Sequence, residues 1–320
     1  MNVNTDFPPF LEYNVDDPEL PFDYSLGTPK LVLGAPSRYL IMRNMWFLSN
    51  YSGNDVVYLT AGTAQSIRYL VNRFRDRNFY IWNYCPGSRI KGIRGARVIN
   101  GELDAEVAEN FGRAHPNCLL IMDILAERLL DYTSTTITMA SLERQIDIVK
   151  ALSPEYACLR FRCCFKNDHA PPEKLSRYAV NELEYFAGSL YRFPWAKPGS
   201  PELALITDGS EMTIYDRDKI DAQMFYWNHK IRTGVYDNGL SIPARGLIQG
   251  YDKCWDCAAE IAIIRDYLRK KGEEGSNTKV KKEANSLNRL GPIKRKFHGK
   301  CPLLPVEDRR RELSSFHREI

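Results

Sequence analysis

The stretch from Asp55 to Leu70 constrains the fold of this chain more than any other. Its sequence, DVVYLTAGTAQSIRYL, reads as an apolar strand, a turn of small residues and a helix. Such a unit opens a nucleotide-binding α/β sheet, and the ligand lies at its turn. The turn holds one glycine, Gly62, whereas close approach to a phosphate or an adenosine usually needs several. The sequence therefore predicts a nucleotide-binding fold with an altered binding loop.

Composition limits the class of protein. The chain has 320 residues, of which 44% are hydrophobic, enough for the core of one large α/β domain. The net charge is only +4, and the positive excess collects near the C-terminus. No apolar run approaches the ~18 residues that a membrane span needs. Eight cysteines without regular spacing are typical of reduced cytosolic thiols. We therefore expect no membrane span and no secretion.

Apolar runs and helical periodicities alternate along the chain. The predicted strands are 56–59, 79–82, 96–99, 118–123, 156–163, 190–193 and 202–207, the last two paired at the sheet edge. The predicted helices are 37–49, 64–75, 104–113, 138–152, 174–186, 216–232 and 258–271. This alternation predicts a mostly parallel, doubly wound sheet with helices on both faces.

Three segments follow from the same pattern. Residues 1–29 form an extended N-terminal arm, residues 30–271 form a Rossmann-like domain, and residues 272–320 form a basic tail that we expect to be disordered. The tail is either a solvated end without a specific role or an arm that attracts RNA through its phosphates.

Four charged residues stand near the ends of predicted elements, where an α/β sheet collects its active site. Lys30 precedes the first helix, Asp123 closes a buried strand, Arg160 lies inside a strand, and Glu202 opens another. Each also has a structural explanation. Asp123 could cap the next segment, Arg160 could be an edge-strand charge, and the other two could lie on the surface.

Several sequence blocks, in order, resemble the poxvirus poly(A) polymerase small-subunit family, which is also the family of cap-specific mRNA 2′-O-methyltransferases. The blocks are KLVLG at 30–34, VVYL at 56–59, IRYL at 67–70, LLIMD at 119–123, LRFRCCF at 159–165, MFYWN at 224–228 and KIR at 230–232. The resemblance runs over residues 20–232, about two thirds of the chain. It implies a Rossmann-like S-adenosylmethionine-dependent methyltransferase fold. It also implies viral mRNA processing in the host cytoplasm or virion, with capped mRNA and a poly(A) polymerase catalytic subunit as partners.

In this family a Lys-Asp-Lys-Glu tetrad surrounds the ribose 2′-hydroxyl, and a lysine helps to remove its proton. The matching residues here are Lys30, Asp123, Arg160 and Glu202. The third is an arginine, and a guanidinium is not deprotonated in proteins. Arg160 could orient a phosphate or a carboxylate, but we do not expect it to accept the proton.

The S-adenosylmethionine site departs further from the family. The positions that match its Gly-x-x-Pro-Gly loop are Thr60, Ala61, Gly62, Thr63 and Ala64. The acidic position that binds the adenosine ribose corresponds to Cys85 or its neighbours, and a thiol is a weak acceptor. With Arg160, these changes predict that methyltransferase activity is absent or much reduced.

The cap-binding positions are better preserved. The family sandwiches 7-methylguanine between two aromatic rings, which here correspond to Tyr24 and Phe165. Stacking and cation-π attraction hold the cationic base. Asp221 replaces the glutamate that accepts hydrogen bonds from the base edge. Ordinary aromatic packing is the alternative explanation for the two rings.

We therefore expect an RNA-binding subunit that promotes processive polyadenylation. One alternative is an active cap 2′-O-methyltransferase with Lys30 or Lys166 as the base, and another is a structural partner of a polymerase without affinity for the cap. Cys254 and Cys257 have a metal-type spacing, but no second pair matches it, so we expect no metal.

Overall fold

The computed structural model describes most of the chain. The described residues are 11–20, 36–60, 64–83, 90, 92–123, 135–161, 182–196, 202–234, 236, 240, 251 and 254–290. None of the helices in these segments has the length and apolarity that a membrane crossing requires.

Helices and strands alternate in the first half of the chain. The order is α1 (Pro36–Asn50), β1 (Asp55–Thr60), α2 (Ala64–Arg73), β2 (Asn78–Asn83), β3 (Ala96–Asn100), α3 (Ala105–Ala114), β4 (Leu119–Met122), α4 (Thr135–Leu152) and β5 (Tyr156–Phe161). The second half continues with β6 (Glu182–Phe186), β7 (Ser189–Tyr191), β8 (Leu203–Thr207), β9 (Met212–Asp216), α5 (Arg217–Tyr226), a π-helical segment (Trp227–Ile231), α6 (Trp255–Lys270) and α7 (Asn277–Leu290).

Seven strands form the main sheet in the order β3-β2-β1-β4-β5-β8-β7. The first five of these are parallel to one another, whereas β8 is antiparallel to both of its neighbours. The predicted mostly parallel sheet is confirmed, and so is the pairing of β7 with β8 at its edge. The architecture is consistent with a Rossmann-like methyltransferase fold.

Helices cover both faces of this sheet. The chain runs outward from β1 to β2 through α2, then returns across the sheet from β3 to β4 through α3. Because such crossovers are right-handed, this change of direction places α2 and α3 on opposite faces. Accordingly α1, α2, α6 and α7 pack with one another, while α3 packs with α4. The central strand β4, LLIM, is therefore buried along its whole length.

Local signals set several element boundaries. Pro36 occupies the first position of α1, where a missing backbone N–H costs nothing. Asp104 caps α3 by accepting a hydrogen bond from the Val107 backbone N–H at 2.8 Å. Asp216 caps α5 in the same way, with the Lys219 backbone N–H at 3.0 Å.

The predicted helix 174–186 is wrong at its C-terminal end. Residues Glu182–Phe186 form β6, which pairs in antiparallel register with β9 in a separate two-stranded sheet. Leu183 and Tyr185 are buried while Glu182 and Glu184 are exposed, the period of two that a strand requires.

The predicted disorder of the tail is wrong for residues 277–290, which form α7. Val280, Ala284 and Leu287 recur at helical spacing and are at most 1% exposed. On the same face, the Glu283 carboxylate accepts a hydrogen bond from Tyr69 and a 2.5 Å bond from Arg73 Nε. A small apolar stripe and one ion pair therefore hold this polar helix against α2 and α6.

A buried ion pair joins α1 to α6. Arg38 donates to Glu260 through Nε and Nη2, each at 2.6 Å, and both side chains are at most 1% exposed. Tyr251 and the Trp195 indole also donate to the Glu260 carboxylate. Arg38 Nη1 donates to Asn288 on α7 at 2.8 Å, so the network also reaches the last described helix.

Replacing Glu260 with glutamine should destabilise the protein by about 3–5 kcal/mol, because the buried Arg38 loses its counter-ion. The matched control is Asp266→Asn, also on α6, whose pair with Lys270 is more than a third exposed and should contribute about 0–1 kcal/mol. Urea unfolding followed by circular dichroism measures both. Equal losses in the two variants would contradict a dominant role for the buried network.

Candidate functional site

The carboxyl ends of β1, β2, β4 and β5 lie at one edge of the sheet. Strand order reverses between β1 and β4, and nucleotide ligands of such sheets bind outside this point. Asp123 directly follows β4, and its backbone N–H donates to Leu59 at 3.0 Å. Because β8 is antiparallel, Glu202 enters it at this same edge, beside Arg160 near the end of β5.

The structure brings together three of the four predicted tetrad residues. Arg160 donates to both oxygens of Glu202, with Nε at 2.8 Å and Nη2 at 2.6 Å. A third bond, from Arg160 Nη1 to the Asp123 carbonyl, measures 3.2 Å. The arginine thus binds one carboxylate in a two-point arrangement and reaches the Asp123 main chain, not its carboxylate. Lys30 lies outside the described residues.

The Asp123 carboxylate has a different partner. It forms an ion pair with Arg43 on α1, and both side chains are at most 1% exposed. Tyr58, inside β1, also donates a hydrogen bond to it. Asn44 supports this arrangement, because its amide donates to the Tyr58 hydroxyl at 2.9 Å and its carbonyl accepts from Arg43 Nε at 3.0 Å.

The positive charges of two guanidinium groups and the negative charges of two carboxylates therefore cancel at this edge of the sheet. Burial opposes ionisation of Glu202, but Arg160, Arg43 and the neighbouring Tyr39 outweigh it and lower the pKa of Glu202 below its ordinary value. Burial raises the pKa of Tyr58 to about 12 despite the opposing charge of Arg43. Burial and then Glu202 raise the pKa of Tyr39 well above its ordinary value. Both tyrosine hydroxyls are thus neutral at physiological pH.

The sequence prediction missed Arg43, Asn44 and Tyr58. The signal available was polar residues within otherwise apolar elements, since α1 reads PSRYLIMRNMWFLSN and β1 reads DVVYLT. Arg43 and Asn44 are fully buried. A charged residue on the buried side of a helix implies a buried counter-ion, but nothing in the sequence identifies Asp123 as that partner.

The structure describes only part of the region that the sequence analysis predicts to bind adenosine. Thr60 ends β1 and is buried, and Ala64 opens α2, while Ala61, Gly62, Thr63 and Cys85 lie outside the described residues. At the end of β2, the Asn83 amide donates to Asn100 Oδ1 at 3.2 Å. The described ends of β2 and β3 therefore carry carboxamides, and a carboxamide is a poorer acceptor for two ribose hydroxyls than a carboxylate.

The other predicted positions are less well defined. Tyr24, Phe165 and Lys166 lie outside the described residues, whereas Asp221 is partly exposed on α5. In the described segments, no three histidine, cysteine or acidic side chains are placed to hold a metal ion. The site that can be assigned is thus a compact charge network at the switch point of the sheet.

Comparison with known proteins identifies the family. None of the curated proteins compared with the chain matches it. A family model described as poly A polymerase regulatory subunit matches residues 26–279, which cover the whole sheet and its charge network. The chain therefore belongs to the poly(A) polymerase regulatory subunit family.

Proposed function

We propose that this protein is an RNA-binding regulatory subunit that promotes processive polyadenylation, and that its methyl-transfer site has become a structural ion network. Membership of the family implies a catalytic polymerase subunit as partner. The proposed change of the methyl-transfer site into an ion network rests on one observation. Asp123 forms a buried ion pair with Arg43, next to the ion pair between Glu202 and Arg160.

Methyl transfer to a ribose hydroxyl requires a group that accepts the proton and a nucleophile in line with the donor methyl. At this edge both carboxylates bind guanidinium groups, which cannot act as bases. A carboxylate with a lowered pKa, such as Glu202, is also a weaker base than an ordinary one. The described groups can hold one another in place, but they offer no suitable proton acceptor.

The donor site supports the same conclusion. Asn83 and Asn100 end β2 and β3, next to the segment that the resemblance expects to bind the adenosine ribose, and the Asn83 carboxamide donates a hydrogen bond to that of Asn100. The described residues therefore do not support methyl transfer from S-adenosylmethionine. The groups of the methyl-transfer site are not required for RNA binding or for stimulation of a polymerase. They are also not required for a cap sandwich of Tyr24 and Phe165 with Asp221.

If Asp123 is now structural, Asp123→Asn should cost about 3–5 kcal/mol of unfolding free energy, because it leaves Arg43 buried without a counter-ion. The double variant Arg43→Met with Asp123→Asn should recover much of this loss, since no unpaired charge remains. Denaturant melts measure all three proteins. A neutral or stabilising Asp123→Asn, as expected for a strained catalytic group, would contradict the proposal.

Calorimetry with S-adenosylmethionine tests the donor site directly. We expect no binding at millimolar cofactor and no methylation of capped RNA. Arg160→Lys should not restore methylation, because the loop at 60–64 also differs from the family pattern. Micromolar binding of the cofactor, or methylation by the Arg160→Lys variant, would favour an active cap 2′-O-methyltransferase.

Retention on a cap-analogue resin tests the cap site. The chain should be eluted by 7-methyl-GTP at concentrations about tenfold or more below those of GTP, because methylation makes the stacked base a cation. Phe165→Ala should abolish retention without changing the melting temperature. Equal elution by the two nucleotides would instead favour a structural partner without cap affinity.

A further inference from the structure

We propose that the surface formed by α2, α6 and α7 binds the phosphate backbone of single-stranded RNA without reading its sequence. This surface is called the basic face below, and it comprises residues 64–77 and 261–290. The inference rests on the proposed RNA binding and says where it takes place.

The basic face carries far more positive than negative charge. Its twelve basic residues are Arg68, Arg73, Arg75, Arg77, Arg265, Arg269, Lys270, Lys271, Lys279, Lys281, Lys282 and Arg289. Its five acidic residues are Asp76, Asp266, Glu273, Glu274 and Glu283. The excess of seven exceeds the net charge of +4 of the whole chain, so the rest of the molecule is slightly acidic. Such an asymmetry attracts a polyanion to one side of the protein.

Ion pairs with these acidic residues neutralise only some of the basic residues of the face. Four pairs connect Arg73 with Glu283, Lys270 with Asp266, Lys271 with Asp76 and Lys279 with Glu273. In the described part of the chain, no carboxylate pairs with Arg68, Arg75, Arg269, Lys281, Lys282 or Arg289. Six cations are therefore available to phosphates without breaking an ion pair.

Contacts between the three elements make these charges one surface. The Tyr267 hydroxyl on α6 donates to the Arg73 carbonyl at 3.2 Å, and the Tyr267 ring packs edge-on against Phe74, 5.4 Å between centroids. Lys271 Nζ reaches Asp76 at 2.8 Å. The Arg73–Glu283 pair adds α7 to the same junction. The end of α2 is thus held between the end of α6 and the first turns of α7.

The charge of α7 is unfavourable for the helix itself. Its first turn contains Lys279 and no acidic residue, and its second turn contains Lys281 and Lys282 with a single acidic residue, Glu283. The N-terminus of a helix carries partial positive charge, so cations there are destabilising. The cations at the end of α6 stabilise that helix and need no further explanation, but those of α7 do. Binding of phosphates would explain them.

The exposed charges of α7 also form a line. Lys279, Lys282 and Arg289 are exposed, and they stand at the i, i+3 and i+10 positions of one helical face. At about 1.5 Å per residue the line is about 15 Å long. It can therefore follow several consecutive phosphates of an extended strand.

The surface suits a nucleic acid better than an acidic protein. Protein interfaces bury an apolar centre beneath a polar rim. The described large hydrophobic side chains that are exposed are Val15, Ile99, Val107, Met212 and Ile214, and all lie outside the basic face. A phosphate backbone needs charge alone and no apolar anchor.

The test measures binding of the full chain to a mixed-sequence 20-nucleotide RNA by fluorescence anisotropy, at salt concentrations from 50 to 300 mM. The variant combines Lys282→Gln and Arg289→Gln, both at exposed positions that form no described ion pair. The matched control combines Arg97→Gln and Lys150→Gln, exposed residues on β3 and α4 with the same change in charge. Circular dichroism melts verify that both variants fold.

Each lost phosphate contact should weaken binding about fivefold at 0.1 M salt, because the logarithmic salt slope is about 0.7 per contact on a single strand. We therefore expect about 25-fold weaker binding by the variant and a salt slope smaller by about 1.4, for every RNA sequence tried. The control should change binding less than threefold.

Three results would overturn the inference. If the unaltered chain binds RNA and both double variants bind it as tightly as the unaltered chain does, the basic face is not the RNA site, although the proposed function stands. If RNA binding is unchanged while capture of the purified catalytic subunit is weakened, the face is a protein interface. Failure of the unaltered chain to bind RNA at any salt would remove the RNA-binding part of the proposed function as well.

Discussion

The buried ion pair between Arg43 and Asp123 determines how the first helix sits on the sheet. Asp123 follows β4 at the switch point, and Arg43 reaches it from the middle of α1. Neither charge can be exposed to water without moving the helix, and neither can remain buried alone except at a large cost in free energy. The pair therefore fixes α1 against the edge where ligands of such sheets bind. Tyr58 donates a hydrogen bond to the Asp123 carboxylate, and Asn44 donates to the Tyr58 hydroxyl and accepts from Arg43 Nε.

Two further buried ion pairs hold α6 against the rest of the protein. Asp256 and Glu260 lie one turn apart on this helix, and both are fully buried. Glu260 binds Arg38 of α1, while Asp256 binds Arg232 just after the π-helical segment, with Nε to Oδ2 at 2.9 Å. Each pair is geometrically specific, because a planar guanidinium accepts few orientations of a carboxylate. Helices at opposite ends of the sequence are thereby held in one arrangement around the sheet.

Much of the fold could be predicted because its signals are local. An apolar run such as Leu119–Met122, or a capping aspartate such as Asp104, depends only on its neighbours in sequence. The sequence analysis does not predict β6 or α7, because the polar composition of these two elements obscures the regular spacing of their apolar residues. β6 carries two exposed glutamates, and α7 has few apolar residues, although Val280, Ala284 and Leu287 already show helical spacing.

The partners within the site could not be predicted in the same way. Asp123, Arg160 and Glu202 were found through their place in the family pattern and through their positions at strand ends. No sequence pattern indicates that Asp123 pairs with Arg43 instead of Arg160. That choice depends on where α1 packs, which is a property of the whole core and not of any one segment. Buried charge pairs are thus the features of such a site that need a structure.

The proposed loss of methyl transfer and the proposed RNA binding are compatible because the two tasks differ in the geometric precision they demand. In-line attack on a methyl group fails when the reacting atoms move by about 1 Å or the base is missing. Attraction of a phosphate backbone to lysines and arginines tolerates larger displacements and many substitutions, since it depends on summed charge. We propose that a sheet edge closed by guanidinium–carboxylate pairs no longer serves the first task. The proposed basic face of α2, α6 and α7 is not limited in this way, because five of its six unpaired cations are exposed at the surface.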